Sequence, residues 1–279
     1  MRRHPARGRY LRSVATAVLA SVDGRISSPA EATISILDEG LVRGDGAFEV
    51  LKLYDGHPFR LTAHLDRLGR SAAAIELGFD REALEAEVAG LLARGGAPDG
   101  CLRVIITRGG RRLLTIEEIA PFPPSAAIAL IELSPSEILA GVKSLSYAAN
   151  MQATRLAAAR GADEAVYVRP DGVVLEAPTS SIFWVTAGGE LRTPALTAGI
   201  LDSITRDAVI AGLPVAEGSF DRADLLAARE AFLASTNREI QPVSAIDGTA
   251  LPTVGGAAAG DAAEALATAV DAERAAARA

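Results

Sequence analysis

The sequence predicts a mixed α/β (α+β) protein with two domains. Strand-like runs of β-branched and aliphatic residues alternate with alanine- and leucine-rich helical runs along the 279 residues. The stiff segment Phe122-Pro123-Pro124 interrupts this alternation and is typical of a connector between domains. We therefore expect a small N-terminal α/β domain over residues 1–115, an interdomain loop over 116–125 and a larger C-terminal domain over 126–279.

The N-terminal part is predicted to begin with a hairpin. The uncharged run that ends at Val22 is followed by Asp23-Gly24, a turn signal, so a first strand turns into a second. Alternating residues then predict a strand that Asp55-Gly56 reverses, and a helix that Thr62 can cap. The expected elements are strands over 32–36, 47–54, 57–61 and 101–107, a glycine-rich turn over 38–46, and helices over 62–77 and 81–94.

The C-terminal part is predicted to mix strands and helices. An alanine-rich helix is stopped by Gly161, and turn residues at Pro170-Asp171-Gly172 join two strands. A further hairpin is expected at Gly188-Gly189. The expected elements are strands over 126–133, 164–168, 173–175 and 231–234, helices over 148–160 and 257–279, and a helix ending at 212.

Composition narrows the function classes. A net charge of −7 and a pI near 5.1 argue against nucleic acid as a partner. Cys101 is the only cysteine, which excludes an internal disulfide and fits a buried strand residue in a reducing compartment. The basic residues 1–12 before an uncharged run only weakly imitate a signal peptide, and no segment reaches the roughly 18 apolar residues of a membrane span. We expect a soluble, cytoplasmic protein.

The chain has only two lysines, Lys52 and Lys143, among 28 basic residues. Arginine stays protonated, whereas a buried lysine can lose its proton and attack a carbonyl as a Schiff-base nucleophile. Lys52 falls in the middle of an alternating strand and is interpreted as part of a solvated face. Lys143 is therefore the first candidate for chemistry.

A carboxylate, Glu176, follows Lys143 at the end of a predicted strand. Glu176 ends the strand predicted after the turn at 170–172, and the small polar residues Thr179-Ser180-Ser181 come next. A lysine and an acid at the ends of two strands suit a pyridoxal phosphate site, where the lysine holds the cofactor and the acid pairs with its pyridinium nitrogen.

The stretch from Gly141 to Val185 resembles the fold-type IV pyridoxal-phosphate enzymes, the class IV aminotransferase family. In that family a lysine, an alanine-rich helix, a Gly-x-x-Glu-Ala-like step and a glutamate followed by small polar residues recur in this order, as they do here from Lys143 to Ser181. The run DEGLVRGDGAFE at 38–49 also resembles the family's N-terminal signature, and departs from it at Arg43, where many members carry an aromatic residue. The resemblance covers about 21–248 and implies the fold-type IV architecture, with a C-terminal pseudo-barrel domain and a homodimer.

The same resemblance implies pyridoxal 5'-phosphate as cofactor and a set of residues around it, with no metal. Lys143 is implied as the catalytic residue that carries the cofactor as an aldimine. We interpret His64 as a residue that packs or supports a ligand residue rather than as an acid or base. The implied cofactor ligands are Arg67, Lys143, Glu176, Ser180, Ile204, Thr205 and Thr236. The expected substrate-binding residues are Arg43, Arg108 and Tyr147.

Three functions compete within this resemblance. A transaminase moves an amino group between an amino acid, branched-chain or D, and a 2-oxo acid. A 4-amino-4-deoxychorismate lyase releases pyruvate and 4-aminobenzoate, and the third alternative is a catalytically dead cofactor-binding protein. Retention of Lys143 with Glu176 argues against the third. The run Gly44 to Glu49 favours the transaminase, whereas the arrangement from Lys143 to Asn150 and the lack of a clear carboxylate-binding Arg-x-His are compatible with the lyase. The preferred amino acid, its enantiomer and the acceptance of simple amines stay open.

Overall fold

The first sheet is built from the N-terminal part of the chain. The computed structural model describes residues 17–96 and 99–278, so residues 1–16, which include the basic N-terminus, residues 97–98 and Ala279 lie outside the described residues. Six antiparallel strands pair in the order β2-β1-β6-β5-β3-β4. They are β1 (Ala17–Val22), β2 (Arg25–Ser27), β3 (Gly46–Tyr54), β4 (His57–Pro58), β5 (Gly100–Thr107) and β6 (Arg112–Glu117). Val22 pairs with Arg25, which confirms the hairpin predicted at Asp23-Gly24.

Three helices accompany this sheet, namely α1 (Glu39–Arg43), α2 (Leu61–Ala74) and α3 (Arg81–Gly95). Leu65 and Leu68 of α2 and Leu84 and Leu91 of α3 are fully buried and pack against the sheet in one core. The apolar residues of α2 thus lie on the face of the helix that packs on the sheet, as their helical spacing requires.

The second sheet follows after residues 118–125 and is a curled half-barrel. Its strands pair in the order β11-β10-β9-β12-β13-β7-β8, with β14 on β13, and the β10-β11, β13-β7 and β7-β8 pairs are parallel. The strands are β7 (Ala126–Glu132), β8 (Glu164–Val168), β9 (Ser181–Val185), β10 (Leu191–Pro194), β11 (Ala216–Gly218), β12 (Glu230–Ser235), β13 (Glu239–Ile246) and β14 (Thr249–Ala250).

Four helices cover this sheet, namely α4 (Ala148–Ala159), α5 (Ile204–Gly212), α6 (Arg222–Leu226) and α7 (Ala257–Arg278). Ala153 and Ala157 of α4 pack against β7 and β8, and Val209 of α5 and Ala262 of α7 pack against β9 and β12. None of the described helices combines the length and apolar character that crossing a membrane requires. The cytoplasmic location stays a prediction.

Several predicted elements are wrong in ways that have physical reasons. Residues 32–36 form no strand because the chain turns at Ser35. The Ser35 carbonyl accepts from the Asp38 amide (3.0 Å), and the Ser35 hydroxyl accepts from the Leu37 amide (3.1 Å). The glycine-rich turn contains α1, which the Asp38 carboxylate caps and which ends at Gly44 with φ 68°.

Tertiary contacts explain the other differences. Thr62 does not cap α2, since the helix is preceded by Arg60, whose amide donates to Glu273 of α7 (2.7 Å). Residues 173–175 make isolated bridges to Val168 and Asp221 instead of a strand. Strand β6 is not among the expected elements, and it forms because it pairs with β1 and β5 on either side.

Candidate active site

The backbone of Lys143 is fixed by the first sheet and its helix, although the residue follows β7 in the chain. The Lys143 amide donates to the Ser71 hydroxyl of α2 (3.1 Å), and the Lys143 carbonyl accepts from the Phe48 amide of β3 (3.0 Å). The Leu145 amide donates to the Gly46 carbonyl (2.9 Å). The segment at 143–145 is therefore held against β3 and carries the lysine to a place between the two sheets.

The Lys143 amine lies in a desolvated environment. Its Nζ atom lies 4.3 Å from the centre of the Phe48 ring, and among the described residues it has no hydrogen bond or ion pair. Burial lowers the pKa of Lys143 to about 8; Arg67 adds to this effect, while Glu49 and Glu176 oppose it. A fraction of the amine is consequently neutral near physiological pH, as a nucleophile requires.

Glu176 is the second titratable group of the site. Its Oε1 atom accepts the backbone amide of Leu201 (3.0 Å). Burial raises the pKa of Glu176 to about 7, although the Leu201 amide and the charges of Lys143, Arg67 and Arg206 act in the opposite direction. Glu176 and Lys143 line the same small cavity of about 90 Å³.

Arg67 belongs to a buried cluster with two other side chains. Its Nε and Nη2 atoms donate to the two oxygens of Glu49 (2.7 Å each), and its Nη1 donates to the Asp202 carbonyl (2.7 Å). His64 Nδ1 lies 2.8 Å from Glu49 Oε2. Burial alone would raise the pKa of Glu49, but hydrogen bonds from Arg67 and His64 lower it to about 2, while burial lowers the pKa of His64. Glu49 is therefore ionised and His64 neutral at neutral pH.

Arg67 and the start of α5 form a candidate anion site. A guanidinium has five N–H groups, and the bonds to Glu49 and Asp202 use three of them, so two remain. At the start of α5 the Ser203 hydroxyl accepts the Arg206 amide (3.3 Å), which leaves the Ile204 and Thr205 amides without an acceptor among the described residues. Free amides and the positive end of the helix dipole favour an anion there.

The main cavity between the sheets has a volume of about 510 Å³. It brings together four of the predicted site residues, namely Arg67, Lys143, Tyr147 and Thr236. Its other lining residues are Phe48, Val50, Arg103, Ile105, Phe122, Leu145, Met151, Thr179, Leu201, Ser203, Ser235, Asn237 and Arg238.

The remaining predicted cofactor ligands lie beside this cavity. Ser180 lines the small cavity with Glu176, is buried, and its hydroxyl has no partner among the described residues. Ile204 and Thr205 line neither cavity through their side chains, although Ser203, which precedes them, lines both. Their expected contribution is through backbone amides, which a helix start presents without the side chain.

Two of the predicted substrate-binding residues lie elsewhere. Arg43 is exposed in the last turn of α1 and does not line the cavity. The Arg108 guanidinium donates to the Asp45 carboxylate and to the carbonyls of Ile75 and Glu76, so its donors are used at the end of α2. This chain does not bring either arginine into its own cavity, and their substrate role stays an untested prediction.

Tyr147 lies at the cavity wall and supports the neighbouring loop. Its hydroxyl and the side-chain Nδ2 of Asn150 both donate to the Pro178 carbonyl, and its ring packs edge-on against Phe48 with centroids 5.4 Å apart. These bonds fix the loop between Glu176 and β9 beside Lys143.

Two arginines of the cavity were missed from the sequence. Arg103 is a single charged residue inside the apolar strand β5, and its Nε and Nη2 donate to Glu117 of β6 (2.7 and 2.8 Å). Arg238 pairs with the buried Glu164 and donates to Gln241 (2.6 Å). A charge within an apolar strand is the signal that points to Arg103, since such a residue needs a buried partner.

Comparisons with known proteins agree with this geometry. The family model of class IV amino-transferases matches residues 46–246. A putative branched-chain-amino-acid aminotransferase of Methanocaldococcus jannaschii is 34% identical over 252 residues, 81% of this chain and 87% of the relative. A bifunctional aminodeoxychorismate lyase and D-amino acid transaminase of Mycobacterium tuberculosis is 30% identical over 270 residues, 84% of this chain and 93% of the relative.

A solved structure is similar throughout. The fold IV transaminase CpuTA1 of Curtobacterium pusillum superposes with a TM-score of 0.80 at 31% identity, and the match covers 90% of this chain and 99% of that one. The fold expectation is thereby confirmed. The chain belongs to the class IV aminotransferase family and is an enzyme of the transaminase type.

Proposed function

We propose that this chain is a pyridoxal-phosphate-dependent aminotransferase that moves an amino group between an amino acid and a 2-oxo acid. The observation that carries the proposal is the meeting of Lys143, whose amine has a lowered pKa, with the buried Glu176 and with the anion site at Arg67. We further propose that the two sheets mark two domains, with the site between them.

The residues present fit the phosphate of this cofactor. The two remaining N–H groups of Arg67 and the amides of Ile204 and Thr205 offer donors to an anion, and Thr236 adds a hydroxyl at the main cavity. The orphaned Ser180 hydroxyl adds a buried donor beside Glu176. Such donors without protein acceptors are expected where a ligand completes the hydrogen bonding.

Glu176 is suited to be the carboxylate that pairs with the protonated ring nitrogen of the cofactor. With a raised pKa its carboxylate is costly to ionise alone, and a neighbouring cation favours the charged form. When bound, pyridoxal phosphate supplies an electron sink for the bond that is broken at the substrate. The role of Glu176 is to hold negative charge beside that sink.

Lys143 is suited to take up and release a proton during the reaction. Its pKa of about 8 allows both protonation states near neutral pH, and the face of Phe48 stabilises the charged form without a fixed ion pair. No ion pair within the described residues has to break before the amine acts.

The cavity wall suits amino acids as substrates. One edge of Arg103 is bound to Glu117, and its Nη1 atom has no acceptor among the described residues, so it is available for the substrate α-carboxylate. Phe48, Val50 and Met151 supply an apolar wall, which favours an aliphatic side chain such as that of a branched-chain amino acid and leaves the enantiomer open. Whether simple amines are accepted as substrates stays open and is tested below.

A homodimer is also part of this proposal. Ile36, Leu37, Leu41 and Val42, on α1 and the turn before it, are between 59% and 80% exposed. Clustered exposed apolar residues mark an interaction surface more often than isolated ones. They support a second copy of the chain as the partner.

A 4-amino-4-deoxychorismate lyase is the second candidate, because the Mycobacterium tuberculosis relative is described as having both activities. A half-reaction screen separates the two. The protein is loaded with pyridoxal phosphate and mixed separately with L-amino acids, D-amino acids, chiral amines and 4-amino-4-deoxychorismate. Absorbance reports the pyridoxamine form and a coupled assay reports pyruvate; pyruvate release without amino transfer contradicts the transaminase.

The first prediction concerns Lys143. Lys143→Ala should abolish turnover and the borohydride-reducible cofactor adduct, since Nζ is the nucleophile of the site. Lys52→Ala is the matched control because it removes the only other lysine, and it should keep both. Mass spectrometry of the reduced protein locates the adduct, and an adduct on Lys52 contradicts the assignment.

The second prediction concerns the anion site. Arg67→Gln should raise the dissociation constant of pyridoxal phosphate by about ten- to a hundredfold, since a charge-assisted bond contributes about 1.5–3 kcal/mol. Arg70→Gln, an exposed arginine of the same helix, should change it less than about twofold. Equilibrium dialysis measures both constants, and circular dichroism checks the fold. Equal constants for the two variants would exclude Arg67 from the site.

The third prediction concerns the rate. Glu176→Gln keeps the shape but deletes the charge, so the half-reaction should slow by at least about tenfold, equivalent to roughly 1.4 kcal/mol of barrier. Glu190→Gln, an exposed change, is the control. Single-turnover absorbance measures the rates; a rate within about twofold of the parent would leave Glu176 without a role in the chemistry.

The fourth prediction uses pH. Since the folded pKa of Glu176 is raised from 4.5 to about 7, folding favours its protonated form, and the protein loses stability as pH rises through this window. Glu176→Gln removes that loss. The cofactor-free variant should therefore gain stability over the parent at pH 8 but not at pH 4.5, as urea unfolding at both pH values will show. An equal difference at both values contradicts the raised pKa.

A further inference from the structure

The charged side chains of the main cavity have one sign. Arg67, Arg103, Lys143 and Arg238 line it, and within the described ranges 17–96 and 99–278 no aspartate or glutamate does. The cavity therefore presents positive groups to whatever enters it, although the chain as a whole has a net charge of −7.

Each of the three arginines is anchored from behind by a buried carboxylate. Arg67 is bound by Glu49, Arg103 by Glu117, and Arg238 by Glu164. These three glutamates are 0%, 6% and 2% exposed. Arginines held this way are oriented before a ligand arrives, so little side-chain entropy is lost when they bind an anion.

The anchor of Arg238 is the most elaborate of the three. Glu164 also accepts hydrogen bonds from Thr154 (3.2 Å) and Thr179 (3.4 Å), so its carboxylate is fixed independently of the arginine. The guanidinium stacks over the Phe122 ring, with 4.9 Å from Cζ to the centroid. Gln241, which accepts from Arg238, donates in turn to the Pro123 carbonyl (2.8 Å).

The cavity has three anchored arginines, whereas the cofactor and a simple amino acid bring only two anionic groups, a phosphate and an α-carboxylate. On the proposed function, on which this step rests, Arg67 takes the cofactor phosphate and Arg103 the substrate α-carboxylate. Arg238 is left with no anion assigned to it. We propose that Arg238 determines substrate specificity by binding the second carboxylate of a dicarboxylic substrate.

The position of Arg238 allows for a distal group. Arg238, Phe122 and Asn237 line the main cavity and also a second cavity of about 510 Å³, which Lys52 and Tyr54 help to line. The arginine thus lies where the two cavities adjoin, with space on either side for a substrate longer than a simple 2-oxo acid. Lys52, ion-paired with Glu239 (3.1 Å), lines that second cavity rather than a solvated face. Asp99 and Glu239 line it too and offset the charge of Lys52, so Arg238 is the cation that the two cavities share.

The test uses ligands that cannot react. Glutarate and pentanoate have the same five-carbon length but two and one carboxylates, and calorimetry gives their dissociation constants on the cofactor-loaded enzyme. The parent should bind glutarate at least about tenfold more tightly, and Arg238→Gln should reduce this ratio to within about twofold. Arg169→Gln, an exposed arginine paired with Asp171, is the matched control and should keep the ratio.

A second variant guards against misfolding. Arg238→Gln leaves the buried Glu164 unpaired, so the double change Glu164→Gln and Arg238→Gln removes both charges together. Loss of glutarate selectivity in the folded double variant supports the proposal. A parent without selectivity, or a double variant that keeps it, overturns the proposal.

The dicarboxylic substrate could belong to either of two reactions, amino transfer or pyruvate release, and a separate assay follows each of them. Amino transfer to 2-oxoglutarate is compared with transfer to pyruvate, and pyruvate release is followed from 4-amino-4-deoxychorismate, which also has two carboxylates. In the reacting arm, Arg238→Gln should lower kcat/KM for the dicarboxylate by at least about tenfold and leave pyruvate as acceptor within about twofold. If glutarate selectivity depends on Arg238 while neither reaction occurs, the proposed function fails and this inference stands; amino transfer without any advantage for glutarate overturns this inference alone.

Discussion

The short pairing between residues 143–145 and strand β3 is the contact on which the site depends. Lys143 reaches the space between the sheets because its carbonyl and the Leu145 amide bond to β3. The chain approaches so closely at Gly46 that a Cβ there would lie 2.4 Å from the Ile106 carbonyl oxygen and 2.7 Å from Leu145 Cδ1. Glycine at this position is therefore required for the second sheet to deliver its lysine to the first.

The arrangement of charge around the cavity follows from the cost of burial. An arginine at the wall of a desolvated cavity is stable only with a partner, and a buried carboxylate is stable only with donors. Placing Glu49, Glu117 and Glu164 behind the wall satisfies both requirements and leaves the arginines facing inward. The cavity can then attract anions without a net charge that would oppose folding.

The sequence predicts those parts of the fold and site that local chemistry decides. Strand β3, the helices around Leu68 and Ala153, and the candidates Lys143 and Glu176 follow from periodicity, turn residues and residue type. The pairing of Arg103 with a carboxylate on β6 does not, because it depends on which strands become neighbours. The hydrogen bond from the Arg60 amide, just before α2, to Glu273 of α7 likewise joins residues that are 213 positions apart in the chain.

One physical term, desolvation, moves the two central groups in opposite directions. Burial disfavours charge, so it lowers the pKa of Lys143 to about 8 and raises the pKa of Glu176 to about 7. Both groups therefore change protonation near neutral pH, and each is sensitive to any charge that enters between them. Arg67, whose guanidinium is compensated by Glu49, changes this balance less than a free cation would. Burial is thus the largest single influence on the pKa of both groups, and the charges of their neighbours modify it.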